Sequence, residues 1–234
     1  MPVCSQDILH KASRGILYIS APLRWRESRV SFLWEIVVSL LRRLMNRNLT
    51  LYAQLETLEE CGIAPNEGVG PAELLVLHGE REYETSPFKL LLSVLGTESQ
   101  EPPRRPLSDN LWHMRAECIS GHGDYVKVAG RMAALTGGVL PIRSVHDEFD
   151  WRQGVAWLGF TMKGRELRWP AKIEERWIDA NILSRFVALL AEQDSELRFT
   201  GLDLGGQDCL IGCATDEQFT SLRKFTGLDF EWLG

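Results

Sequence analysis

No GxSxG elbow, Walker A loop, GxGxxG turn, HExxH pair or paired CxxC occurs in this 234-residue chain. The local signatures of hydrolases, nucleotide binders and the common metalloenzymes are therefore missing. Cysteine is scarce. Cys4, Cys61, Cys118, Cys209 and Cys213 are five in all and lack CxxC spacing, which leaves no basis for a disulfide framework or a zinc knuckle. Reduced, mostly buried thiols in a cytoplasmic protein are expected instead. Long hydrophobic runs are also lacking. The most apolar stretch, residues 31–45, is fifteen residues long, interrupted by Glu35 and closed by Arg42 and Arg43. That is short for a membrane-spanning helix, and it ends without a small-residue cleavage site for secretion. An amphipathic surface helix fits its mixture of aromatic, aliphatic and arginine residues. Membrane contact through residues 29–45 is thus expected only if that segment is translated.

What is present is an ordinary globular composition, 44% hydrophobic and 25% charged, with a net charge of −6. The charge is unevenly spread. Residues 1–48 hold eight Lys and Arg against three Asp and Glu, and residues 49–234 hold eighteen against twenty-nine, giving +5 and −11. An acidic body argues against nucleic acid as a partner, because phosphate contacts need clustered Lys and Arg. It suits a basic protein partner, or simple solubility. The sign changes beside Met45, which opens Met-Asn-Arg-Asn-Leu-Thr directly before the first regular element. Residues 1–44 accordingly fit an extension upstream of a true start at Met45.

Glycine and proline punctuate the next stretch. Leu51, Leu55 and Leu58 recur at helical spacing before Gly62. Pro71 opens and Gly79 closes a second helix; Ser86 and Pro87 open and Gly96 closes a third. These helices are too short to stand alone, so they pack on one another or on the next domain. Residues 97–110, with three prolines and several charges, read as an exposed linker. The chain divides into a basic extension (1–48), a short helical segment (49–96), a Pro-rich linker (97–110) and an α+β domain (111–234).

In that domain, alternation predicts a strand over residues 111–119 with Trp112, Met114, Ala116 and Cys118 buried and His113 exposed. Gly121-His122-Gly123 turns into a helix capped by Asp124. A hairpin comes next, residues 155–162 returning through Lys163-Gly164 to 165–169, with Pro170 at its edge. Asp179 caps a helix with the stripe Ile182, Phe186, Leu189 and Leu190. A second hairpin turns at Gly205-Gly206-Gln207. Thr215 and Gln218 form a capping box for a helix whose Phe219, Leu222 and Phe225 face inward, and Leu228, Phe230 and Trp232 alternate in a last strand. The fold class is α+β: an antiparallel or mixed sheet of hairpins with helices packed on one face, preceded by a small helical segment.

Candidate chemistry is sparse. His113, Cys118 and His122, with Asp124 nearby, are the best metal-like set, but an odd spacing along a strand sends His113 and Cys118 to opposite faces. No metal or cofactor is expected. An enzyme of unrecognised type would centre on His122 with Cys118, Asp124 or Cys209, and a buried structural role for those thiols competes with that reading. The stretch Asp147, Glu148 and Asp150, beside His146, Phe149 and Trp151, looks like a loop before the first hairpin. Glu174 and Glu175, before Trp177, form a second acidic patch. Both read as a contact for a basic partner, with carboxylates steering and aromatics anchoring. The competing reading is solvated acids whose aromatics fold back on the core.

The run Asp-Leu-Gly-Gly-Gln-Asp-Cys-Leu-Ile-Gly-Cys-Ala-Thr leads into a capped helix and ends in Gly-Leu-Asp-Phe-Glu-Trp-Leu. This last quarter of the chain, residues 177–234, resembles the small acidic α+β immunity proteins that accompany bacterial polymorphic or contact-dependent toxins. The resemblance is one of arrangement, without a diagnostic motif, so it transfers no functional residue. It implies a stoichiometric, non-catalytic inhibitor whose partner is a basic toxin domain.

Overall fold

The computed structural model describes residues 49–100 and 102–234. The apolar run 31–45 and the start expected at Met45 lie outside the described residues. Seven helices and two antiparallel sheets make an α+β fold among the described residues. The helices are α1 (Leu51–Glu60), α2 (Pro71–Leu77), α3 (Glu80–Thr85), α4 (Lys89–Leu95), α5 (Asp124–Ala134), α6 (Ala180–Ala191) and α7 (Asp216–Thr226). The strands are β1 (Leu111–Arg115), β2 (Ile142–Asp150), β3 (Val155–Met162), β4 (Arg165–Lys172), β5 (Arg198–Gly205), β6 (Asp208–Ala214) and β7 (Glu231–Trp232). The hairpins divide between a four-stranded sheet, β1-β6-β5-β7, and a three-stranded sheet, β2-β3-β4.

Alternation along the four-stranded sheet gives it two apolar faces, each with its own core. Phe199, Ile211 and Met114 point to a core shared with α5, α6 and the three-stranded sheet. Leu111, Leu202 and Leu210 point to the opposite core, built from α1 to α4 with Leu222 and Phe230. The short helices thus gain their burial from the sheet as well as from each other. Tyr83, Leu74 and Leu91 are fully buried there, and Gln54 ties the segment together by donating to the Tyr83 carbonyl at 3.1 Å and accepting from the Phe88 amide at 2.7 Å. The Pro-rich stretch is exposed at residues 102–105 and pinned at its end, where Leu107 is buried and its carbonyl accepts from the Asn66 amide at 2.8 Å.

In the three-stranded sheet, Ala156, Leu158 and Phe160 of β3 are completely buried. The turn Lys163-Gly164 has φ of 50° and 78°, two left-handed residues whose twist matches the flanking strands. Pro170 stands on edge strand β4 opposite Trp157, where its missing amide costs no ladder bond. Helix α6 lies between the sheets. Phe186 packs on Phe160 and Trp169 at centroid distances of 5.9 and 5.0 Å and shares its core with Phe199.

Several local expectations change. The first strand ends at Arg115, and the third expected helix, α4, begins at Lys89, after Ser86 and Pro87. The acidic stretch before the hairpin is strand β2, paired with β3 across a register shift between Arg143 and His146. His113 is half-buried, its Nδ1 lying 3.2 Å from the Ser93 carbonyl, because the second face of the sheet is covered by the helical segment. Phe225 is 42% exposed and Thr226 takes the buried place, donating to the Leu222 carbonyl at 2.6 Å. The last strand shrinks to β7, although Phe230 is buried as the alternation requires. The N-cap of α5 is Gly123, with Asp124 inside the first turn.

Candidate functional site

The aromatic and acidic residues singled out in the sequence gather at one end of the three-stranded sheet. Strand β2 sends Val145, Asp147 and Phe149 inward and Glu148 outward. Phe149 meets the N-terminus of α5, its ring stacking on Tyr125 at 5.9 Å and 27°. Trp151, two residues on and therefore on the same side, stacks on Phe149 at 5.2 Å and 20°. The His122 ring meets Phe149 edge-on at 5.2 Å. Tyr125 is completely buried and Trp151 is 55% exposed, so the stack runs from core to solvent. The Tyr125 hydroxyl accepts from the Asp179 amide at 3.2 Å. Burial, then the nearby carboxylates of Asp179 and Glu174, push its ionisation up to about 12.

The six predicted contact residues have different fates. Asp147 has a side chain 3% exposed; both its oxygens accept from the Gly123 amide at 2.8 Å and one accepts from the Tyr125 amide at 3.1 Å. It satisfies the free amides that open α5, a task sequence spacing assigned to Asp124. Its side chain is thus turned into the protein and makes no direct surface contact. Asp124 accepts from the amides of Ser120 and Gly121 at 2.7 and 3.1 Å and pairs with Lys127 at 3.0 Å. Burial alone would raise its pKa, yet these amides and the ammonium hold the carboxyl below its usual range. Glu148 is exposed and bonded to Arg168 at 2.8 Å. Asp150 accepts from the amides of Arg152 and Gln153 at 3.0 and 3.1 Å and shapes the turn that presents Trp151. Glu174 and Glu175 are exposed, and the Ile173 amide donating to the Gly154 carbonyl at 3.0 Å brings them beside that turn. The two acidic patches of the sequence thus share one end of the sheet. Trp177 is half-buried and bridged to Glu117 and Glu174.

The catalytic alternative meets different geometry. His122 lies with Nδ1 3.7 Å from Asp147, but that carboxylate already serves two backbone amides. The Cys118 thiol is pushed up to about 11 and that of Cys209 to about 12, burial being the largest cause in each. At neutral pH both are protonated and poor nucleophiles. Among the described residues no group of three His, Cys, Asp or Glu side chains is placed to hold a metal ion. No described helix is long and apolar enough to cross a membrane. A polar cavity of about 550 Å³ opens elsewhere, around Trp112, His113, Arg104 and Arg115. Glu98 and Asp208 line it beside those arginines, so its charges largely offset one another.

Sequence reasoning missed Tyr125 as the buried base of the stack. The signal was present in the aromatic triplet Tyr125, Phe149 and Trp151, but the pairing of α5 with β2 is a tertiary fact. The chain matches no protein-family model, no curated protein and no solved structure.

Proposed function

We propose that this chain is a non-catalytic, acidic protein-binding module, of the kind an immunity protein uses to occlude a toxin, acting in the cytoplasm on a basic protein domain. Its contact surface is the end of the three-stranded sheet bearing Trp151, Asp150, Glu174 and Glu175, with Glu148 at the margin. The observation that carries this reading is the Trp151 indole, 55% exposed and yet stacked on Phe149. An exposed side chain that is already stacked loses less freedom when a partner covers it, which favours it as an anchor. The carboxylates around it supply attraction at a distance for a cationic partner.

Affinity capture with the whole protein, followed by binding measurements on the purified partner, tests this. Trp151→Ala is expected to weaken binding by about thirtyfold or more, the effect of losing a central aromatic anchor. The double variant Glu174→Gln, Glu175→Gln is expected to slow association and flatten its salt dependence. A partner that binds Trp151→Ala as tightly as the parent protein would place the interface elsewhere.

A further inference from the structure

A cavity of about 270 Å³ lies between α6 and one face of the four-stranded sheet. It exists because both walls carry small side chains: Ala180, Ala188 and Ala191 on the helix, Ala116 and Gly201 on the sheet side. Of the large residues of α6, Ile182, Phe186 and Leu190 turn into the adjoining core, at most 1% exposed, while Leu183 and Val187 add apolar surface to the cavity wall. The hollow opens to solvent along Ser184, Ala188 and Ala191, which are exposed; an enclosed cavity of about 150 Å³ already admits benzene. The hollow here therefore accommodates an apolar body of roughly ten heavy atoms.

The polar side chains at this cavity are Ser184, Asp203, Gln207 and Asp208; the two aspartates are the charged ones and define the head group it would accept. Asp208 is occupied, with Arg115 Nε at 3.5 Å and His113 Nε2 at 3.8 Å. Asp203 differs. One of its oxygens accepts from the Gly205 amide at 2.8 Å, and no Lys, Arg or His among the described residues pairs with it. The Cys209 thiol in the wall stays uncharged at neutral pH, burial pushing it up to about 12. A rim carboxylate without a counter-ion, set beside an apolar hollow, complements one chemistry: a compact apolar group ending in an ammonium. We propose that the cavity between α6 and the four-stranded sheet binds small amphipathic amines, their apolar part between Ala188 and Gly201 and their ammonium on Asp203. This site is separate from the Trp151 surface and does not depend on it.

Isothermal titration calorimetry of the whole protein with n-octylammonium, n-octanol and n-octanoate, equal in chain and different in head, tests the assignment. Octylammonium is expected to bind about tenfold or more tightly than octanoate, and Asp203→Asn to bring the two together without changing octanol. Ala188→Phe and Ala191→Leu, both at exposed positions of α6 that line the cavity, are expected to abolish octylammonium binding while thermal melts show each variant folded. Octanoate binding as tightly as octylammonium overturns the proposal. So does octylammonium binding that survives both filling variants, and so does a failure of all three probes to bind.

Discussion

The two faces of the four-stranded sheet are covered by opposite means. On one, leucines close the space: Leu91, Leu92 and Leu95 of the helical segment and Leu210 of β6 are fully buried in one core. There α4 meets β1 backbone to backbone. A Cβ on Gly96 would lie 2.6 Å from the His113 amide nitrogen, and that amide donates to the Gly96 carbonyl at 2.8 Å. On the other face α6 presents alanines and leaves a cavity. Covering a sheet and filling the space under the cover are thus separate achievements. The filled face is where truncation should hurt most; the open face has lost contacts already.

The largest expected effect lies on the filled face. Leu92→Ala, fully buried in that core and away from the cavity, should cost about 3–5 kcal/mol of stability, in the upper range for a buried leucine. Met114→Ala, on the cavity side of neighbouring strand β1, should cost about 2 kcal/mol, since the void it enlarges is already there. Urea denaturation of both variants measures the difference. Equal losses would mean that the two faces are packed alike. Gly96→Ala comes next, at about 1–3 kcal/mol, because the obstructing atom is backbone and cannot swing aside. The same titration reads it, and a parent-like midpoint would show that α4 can lift off β1 freely.

What the residues alone disclosed, and what they hid, obeys the same division between local and distant causes. Helices with their own stop signals were legible: Gly70-Pro71 before α2, the Thr215 and Gln218 box of α7, and Gly227 at φ 68° behind it. So was the β3-β4 hairpin, because its strand alternation is clear and its turn contains Gly164, which adopts left-handed φ without strain. Helix α3 was not, since Glu-Arg-Glu-Tyr-Glu-Thr holds a single buried side chain, Tyr83, and so has no stripe to read. Strand β2 was hidden by Asp147, a charge at an inward position that makes sense only once the N-terminus of α5 stands opposite it. The candidate surface was half legible for the same reason. Its residues were named, but the inward or outward turn of each carboxylate depends on strand pairing. The cavity left only a faint trace, the alanines of α6, which look like ordinary helix formers in a sequence.

That turn of carboxylates on one strand gives the next prediction. Asp147→Ala strips the amides of Gly123 and Tyr125 of their partner in a nearly buried place and should cost about 1–3 kcal/mol. Glu148→Gln, one residue away and solvent-facing, should change stability by about 0.5 kcal/mol or less. Thermal unfolding of the pair reads this contrast. Equal small effects would mean that another group caps α5 as well as Asp147 does.

The smallest effect is silent at neutral pH and concerns the thiols. Cys118, Cys209 and Cys213 all pack against the core that adjoins the cavity, and burial pushes them up from 9.0 to about 11, 12 and 12. Below pH about 9 the thiols are protonated whether the chain is folded or not, so their shifts add no pH dependence. Above it the unfolded chain releases protons that the folded chain retains, and the unfolded state gains. Stability is therefore expected to hold level up to about pH 9 and then to fall as pH rises toward about 12, with the fall shallower in Cys209→Ala. Alkylation gives a second measure. At about pH 8 iodoacetamide should modify Cys209 and Cys213 far more slowly in the native protein than in urea, because only the thiolate reacts. Rapid native labelling of Cys209 would mean that its thiol is ionised and solvated, and the cavity wall would then be polar rather than apolar.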